Sequence, residues 1–133
     1  MDIRIYYEDT DCGGVVYYAN YFIWFEVART DLLRAAGWTY RDMEAEGFSL
    51  PVIEAHCEYR RSARYDDDLE VRTGGTALSA VRLRFDYQIV RSNDATLLAV
   101  GHTVHVTLDR DGLPCRIPAR AIELLASGSV NVD

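Results

Sequence analysis

A chain of 133 residues, 49% of them hydrophobic and 26% charged, has the size and composition of one globular domain spanning 1–133 and excludes intrinsic disorder. Its formal net charge of −7 argues against nucleic acid as a partner, because phosphate binding needs a basic footprint. No apolar run approaches the ~20 residues of a membrane span, and the N-terminus lacks the apolar core of a signal peptide.

In chain order, the first strand covers Ile3 to Tyr7. A loop, Glu8-Asp9-Thr10-Asp11-Cys12-Gly13-Gly14, brings acidic residues together with two glycines that permit unusual backbone angles. The strongest helix signal follows, with Asn20 as its expected N-cap and Gly37 at its C-terminal stop. Tyr21, Phe22, Trp24, Phe25, Val27, Ala28, Leu32 and Leu33 cover most of its circumference. They leave a narrow polar arc at Glu26, Arg29, Thr30 and Arg34, so the pattern predicts a core helix wrapped by the rest of the chain. Within the arc, Glu26 and Arg29 are spaced for an ion pair.

A short helix is predicted from Tyr40 to Glu46, with Thr39 and Asp42 at capping-box spacing and Gly47 closing it. The period then switches to two. Ile53, Ala55, Cys57 and Tyr59 alternate with polar residues, as do Leu69, Val71 and Thr73, and then Leu83, Phe85, Tyr87 and Ile89. On the last strand the apolar set reads Leu98, Val100, His102, Val104, Val106 and Leu108, which places His56 and His105 on polar faces. A turn at Asp109–Gly112 and a helix from Ala119 to Ala126 precede a frayed tail, 127–133. A strand, a long helix and four strands make an α+β fold, a five-stranded antiparallel sheet wrapped around the helix.

The chemistry concentrates between Asp9 and the start of the long helix. A helix N-terminus presents unpaired N–H groups and a partial positive charge, which stabilise an oxyanion developing on a carbonyl. A carboxylate from the adjoining loop then serves as nucleophile or general base. Asp-x-Asp beside glycine is equally a common turn, in which the side chains bond nearby backbone N–H groups. The three cysteines, Cys12, Cys57 and Cys115, suit reduced thiols in a cytoplasm better than a disulfide framework. Without a C-x-x-C pair, and with its three histidines all on strands, the chain offers no metal site.

The stretch Tyr7-Glu8-Asp9-Thr10-Asp11-Cys12-Gly13-Gly14-Val15-Val16-Tyr17-Tyr18-Ala19-Asn20-Tyr21, continuing to Phe25-Glu26-Val27-Ala28-Arg29, resembles the signature of the 4-hydroxybenzoyl-CoA thioesterase family. It is most similar to the bacterial branch that includes the thioesterase associated with the Tol–Pal system. Tyr59 to Asp67 and Arg116-Ile117-Pro118 extend the likeness over nearly the whole chain. The resemblance implies a hot-dog fold, an acyl-CoA thioester substrate and no metal or other cofactor. It also implies a catalytic aspartate at Asp11 and a backbone oxyanion donor at Tyr18, with Gly14, Val15, Val16 and Tyr17 beside the substrate. Asp9, the first acid, is read as structural.

Two departures from that pattern stand out. Tyr18 occupies a position where the Tol–Pal-associated branch carries histidine. The hairpin Leu78-Ser79-Ala80-Val81 lacks the basic run that some relatives turn toward the CoA phosphates, for which Arg60, Arg61, Arg82 and Arg116 are the substitutes. The other functional classes on the same fold are dehydratases, against which the lack of a histidine in the first 55 residues counts, and a non-catalytic module binding acyl-CoA or acyl-carrier protein, with acyl-carrier protein also an alternative donor for the enzyme. An open sheet edge, and the family's habit, imply a homodimer or homotetramer.

Overall fold

The computed structural model describes residues 1–11 and 14–128. β1 (Asp2–Arg4) leads through a single 3-10 turn at Tyr7–Asp9 to α1 (Asn20–Ala35) and α2 (Tyr40–Glu46). Four strands follow, β2 (Val52–Tyr59), β3 (Asp68–Ala77), β4 (Arg82–Arg91) and β5 (Thr96–Val106), and then α3 (Ala119–Gly128). The strands form one antiparallel sheet in the order β1-β3-β4-β5-β2. α3 runs two residues beyond the expected Ala126; the rest of the expected tail, 129–133, lies outside the described residues, as do Cys12 and Gly13.

Local signals explain the boundaries. α2 is closed by the capping box: the Asp42 N–H donates to Thr39 Oγ1 at 3.2 Å and the Thr39 N–H to Asp42 Oδ2 at 3.0 Å. Those bonds hold the Asp42 carboxyl below its ordinary range. Gly47 then takes φ +89°, the left-handed cap that glycine adopts without a Cβ clash. At the end of α1, Gly37 (φ +85°) closes a Schellman-type turn in which the Trp38 N–H reaches Leu33 O.

α1 lies across the sheet and buries Tyr21, Trp24, Phe25, Ala28, Arg29 and Leu33. The Phe25 ring stacks on Tyr87 of β4 at 4.3 Å, and Tyr21 stacks on Tyr59 of β2 at 4.9 Å. The helix is covered on one side rather than wrapped: Ile23 and Val27 are 55% and 43% exposed. Arg29, placed by periodicity in the polar arc, is buried instead. No ion pair forms between Arg29 and Glu26 among the described residues, because the Arg29 guanidinium points inward to the Tyr40 and Tyr87 hydroxyls.

The faces of β3 and β4 follow the alternation, β2 leaves every residue but Cys57 exposed, and the faces of β5 are the reverse of those expected. In register with Leu83, Phe85, Tyr87 and Ile89 stand His105, Thr103, Gly101 and Ala99. These four therefore share the face of the α1 side, while Val100, His102, Val104 and Val106 point outward. His105 is fully buried, and His102 bonds Glu54 Oε2 at 2.8 Å on the outer face. The physical reason is volume. The Phe25 and Tyr87 rings fill the space over the middle of β5, so Ala99, Gly101 and Thr103 must be small, while His105 lies beyond them against Phe85.

Candidate active site

The loop before α1 is held by its own backbone. The Asp11 N–H donates to Val15 O at 2.8 Å and the Gly14 N–H to Asp11 O at 3.1 Å, a tight reversal that Gly14 completes at φ +78°. The Val16 N–H reaches Ala63 O at 2.8 Å, laying the returning arm against the segment after β2. Asp9 acts through three contacts. Its carboxylate accepts from the Tyr6 N–H at 3.0 Å, while its carbonyl accepts from the Tyr17 N–H at 2.9 Å and from Asn20 Nδ2 at 3.0 Å.

Asn20 is thus not the N-cap. α1 begins at Asn20, and no side chain caps it. The Asn20 N–H donates to Tyr17 O at 3.0 Å, the Tyr21 N–H to Tyr18 O at 3.3 Å and the Phe22 N–H to Ala19 O at 3.2 Å. With trans-planar peptides, the Tyr18 and Ala19 N–H groups point opposite to the Tyr17 and Tyr18 carbonyls, out of the helix end. Neither N–H donates to any group among the described residues.

A cleft of about 490 Å³ opens at this end of α1, lined by Asp11, Val15, Val16, Tyr18, Tyr21, Tyr59 and the run Arg60–Ser62. Of the residues singled out in the sequence, Asp11, Tyr18, Val15, Val16, Arg60 and Arg61 meet there. Gly14 and Tyr17 flank the cleft without lining it. Arg82 does not approach within one subunit. It pairs in register with Val106, whereas Tyr59 at the cleft pairs with Ala99, seven residues back along β5. Arg116, on the segment leading to α3, does not line the cleft either.

Three lining residues lie outside the site read from the sequence, Tyr21, Tyr59 and Ser62. The sequence placed Tyr21 on the apolar face of the long helix and Tyr59 on a strand. The Tyr59 hydroxyl donates to Tyr18 O at 3.0 Å, and its ring meets the Tyr18 ring edge-on at 6.2 Å. Its one sequence signal is an aromatic at the last inward position of β2, just before Arg60-Arg61.

The electrostatics sort the candidate groups. Burial pushes the Tyr21 and Tyr59 phenols up, with Cys57 adding to the shift in both. The Tyr17 phenol is raised by its hydrogen bond to Tyr18. Burial also raises the half-buried Cys57 thiol. At neutral pH the phenols are therefore donors, and Cys57 is a thiol rather than a nucleophilic thiolate. Asp11 is the carboxylate among the cleft's lining residues.

Comparison with known proteins bears on the family of the chain. Residues 6–125 match the model of the thioesterase-like superfamily. The chain is 38% identical over 120 residues to the acyl-CoA thioester hydrolase YbgC of Escherichia coli O6:H1, covering 90% of this chain and 86% of that one. It is 32% identical over 111 residues to the putative acyl-CoA thioesterase YneP of Bacillus subtilis, covering 83% and 79%. Among solved structures it superposes on Slr0204, a 1,4-dihydroxy-2-naphthoyl-CoA thioesterase from Synechocystis, with a TM-score of 0.88 at 26% identity, over 95% of this chain and 93% of that one. The uncapped end of α1, the carboxylate loop beside it and these likenesses lead to one conclusion: the chain belongs to the thioesterase-like superfamily and is a thioester hydrolase of hot-dog fold.

Proposed function

We propose that this chain hydrolyses acyl-CoA thioesters at the cleft beside α1, with Asp11 as the reacting carboxylate and the Tyr18 N–H as oxyanion donor. The observation that carries the reading is that a helix end with unclaimed N–H groups and a loop carboxylate border one cleft. The thioester carbonyl oxygen accepts from the Tyr18 N–H, which strengthens as negative charge develops on it. Asp11 either attacks the carbonyl carbon, expelling the CoA thiolate and leaving a mixed anhydride that water cleaves, or takes a proton from the water that attacks directly. The protonated Cys57 and tyrosines leave the aspartate as the reacting group.

Arg60 and Arg61 border the cleft and are placed for the CoA phosphates. Arg82 would reach a phosphate only from a neighbouring subunit. An assembly of at least two subunits is supported by β2, an edge strand that pairs with β5 alone and exposes most of its residues, and by the open Ile23 and Val27. No helix among the described residues is long and apolar enough to cross a membrane. The unpaired Cys57 and Cys115 support a cytoplasmic setting.

The test is thiol release from a panel of short-chain, long-chain and aromatic acyl-CoAs by wild type and Asp11→Asn. Release from one class that falls by at least about 100-fold in Asp11→Asn supports the reading. An Asp11→Asn variant with wild-type turnover overturns it. Acyl-CoA binding without release by the wild type would assign the cleft to a binding module.

A further inference from the structure

The turn that presents the Tyr18 N–H is anchored from two directions. On the loop side, Asp9 O accepts from the Tyr17 N–H and from Asn20 Nδ2. On the sheet side, one side chain reaches it, Tyr59, whose hydroxyl donates to Tyr18 O at 3.0 Å. Tyr18 O also accepts the Tyr21 N–H, at a longer 3.3 Å, and α1 has no side-chain cap to stiffen its first turn. First turns of this kind fray unless something outside the helix holds them.

We propose that Tyr59 is a positioning residue: its hydroxyl braces the Tyr18 carbonyl and so fixes the first turn of α1 with the Tyr18 N–H aimed at the thioester carbonyl. The inference rests on the thioesterase reading above. Ring and hydroxyl do separate jobs. The ring stacks on Tyr21 at 4.9 Å with 29° between planes and meets Tyr18 at 85°, which settles its place in the cleft wall. The hydroxyl then donates to the Tyr18 carbonyl, with the Cys57 thiol as its other hydrogen-bonding neighbour. Burial pushes the phenol up from its ordinary value, so at neutral pH it remains a donor. An oxyanion donor is effective only when its direction is set before charge develops, since reorganisation during the reaction cancels the gain.

The experiment compares wild type, Tyr59→Phe, Tyr59→Leu and Asp11→Asn in steady-state kinetics on the acyl-CoA that the panel identifies, with thermal unfolding of each. Tyr59→Phe keeps the ring and loses the brace. Its kcat is expected to fall about 10-fold with KM within about twofold and an unchanged unfolding midpoint, the signature of an interaction felt mainly in the transition state. Tyr59→Leu loses the ring as well, so KM rises in addition. A Tyr59→Phe enzyme with wild-type kcat, while Asp11→Asn is inactive, overturns the brace and leaves the thioesterase reading standing. A kcat loss matched by a drop in unfolding midpoint also overturns it, because the hydroxyl would then serve only the fold. Absence of turnover in the wild type across the panel overturns the reading and the brace together.

Discussion

Arg29 Nη1 donates to the Tyr87 hydroxyl at 2.9 Å inside the fold, and no carboxylate pairs with this buried guanidinium among the described residues. Its Nε donates to the Tyr40 hydroxyl at 2.8 Å, and its carbon lies 6.0 Å from the Phe85 ring centre. The chain of bonds continues with one consistent direction. The Tyr87 hydroxyl donates to Thr103 Oγ1 at 2.8 Å, Thr103 to His105 Nε2 at 2.9 Å, and His105 Nδ1 to Leu50 O at 2.9 Å. Five side chains from two helices and two strands thus form one polar line through an apolar core.

A buried cation held only by neutral phenols gains little net stability, because desolvation offsets most of what those bonds return. Arg29→Met removes the charge, fills similar volume and leaves Tyr87 bonded to Thr103. It is expected to change stability by no more than about 1 kcal/mol. Arg29→Lys keeps a buried charge without the fork that spans both phenols, and should destabilise by about 3 kcal/mol. Urea unfolding at constant m-value reads both. A lysine variant as stable as wild type would mean that the phenols are not what accommodates the charge.

The same line suits a neutral His105. Its Nδ1 donates to Leu50 O, and in the neutral ring that burial favours its Nε2 accepts from Thr103. Burial, with a further push from Arg29, lowers its pKa to about 4 from the usual 6.5. The unfolded chain therefore binds a proton that the folded chain refuses. Stability from this group is full above about pH 6.5 and is lost as pH falls toward 4, by ~2 kcal/mol between pH 7 and pH 5. The lowered carboxyls of Asp42, Asp68 and Asp94 act in a lower window, below their ordinary value of 3.8. Unfolding free energy measured at pH 7, 6 and 5 should show this slope in wild type and a flat profile in His105→Gln. An equal slope in both would remove His105 as the cause.

Gly101 shows where sequence pattern stops being informative. A Cβ there would stand 2.7 Å from Phe25 Cε2 and 2.6 Å from the His56 carbonyl oxygen, closer than real Cβ atoms come. Gly101→Ala should cost about 2 kcal/mol by overpacking, read as a lowered unfolding midpoint, and Gly101→Val more. An alanine variant at wild-type stability would show that β5 and Phe25 can part without loss. The two faces of β5 misled the sequence reading for the same reason. Aliphatic side chains mark the outward face, while Ala99, Gly101, Thr103 and His105 line the inner one, and only the three-dimensional neighbours Phe25 and Tyr87 explain that choice. Arg29 was misplaced likewise, since its phenol partners lie 11 and 58 residues away. What was legible came from short-range rules: the Thr39–Asp42 capping box, the glycine stops, the alternation of β3 and β4, and the single run from Tyr7 to Tyr21 that carries the carboxylate loop and the helix start. Tyr59 was not legible as a partner of Tyr18, because 41 residues separate them.

Asn20 separates helix stability from site geometry. Read as a cap, its replacement by alanine would cost about 1 kcal/mol of stability. The structure assigns it a different task, since Nδ2 donates to Asp9 O and so ties the carboxylate loop to the first turn of α1. Asn20→Ala should therefore lower kcat/KM by about threefold, with the unfolding midpoint nearly unchanged. Asn20→Asp sharpens the contrast. A carboxylate at this end of α1 is favoured by the helix dipole, so stability should hold or rise slightly. Yet it turns an acceptor toward the Asp9 carbonyl and sets a negative charge near the Tyr18 N–H, the proposed oxyanion donor. Turnover should fall about 10-fold or more in a protein that melts no lower than wild type. Thermal unfolding and thiol release on the same samples decide it: an Asn20→Asp enzyme that loses stability and keeps its rate would return Asn20 to the role of a simple cap.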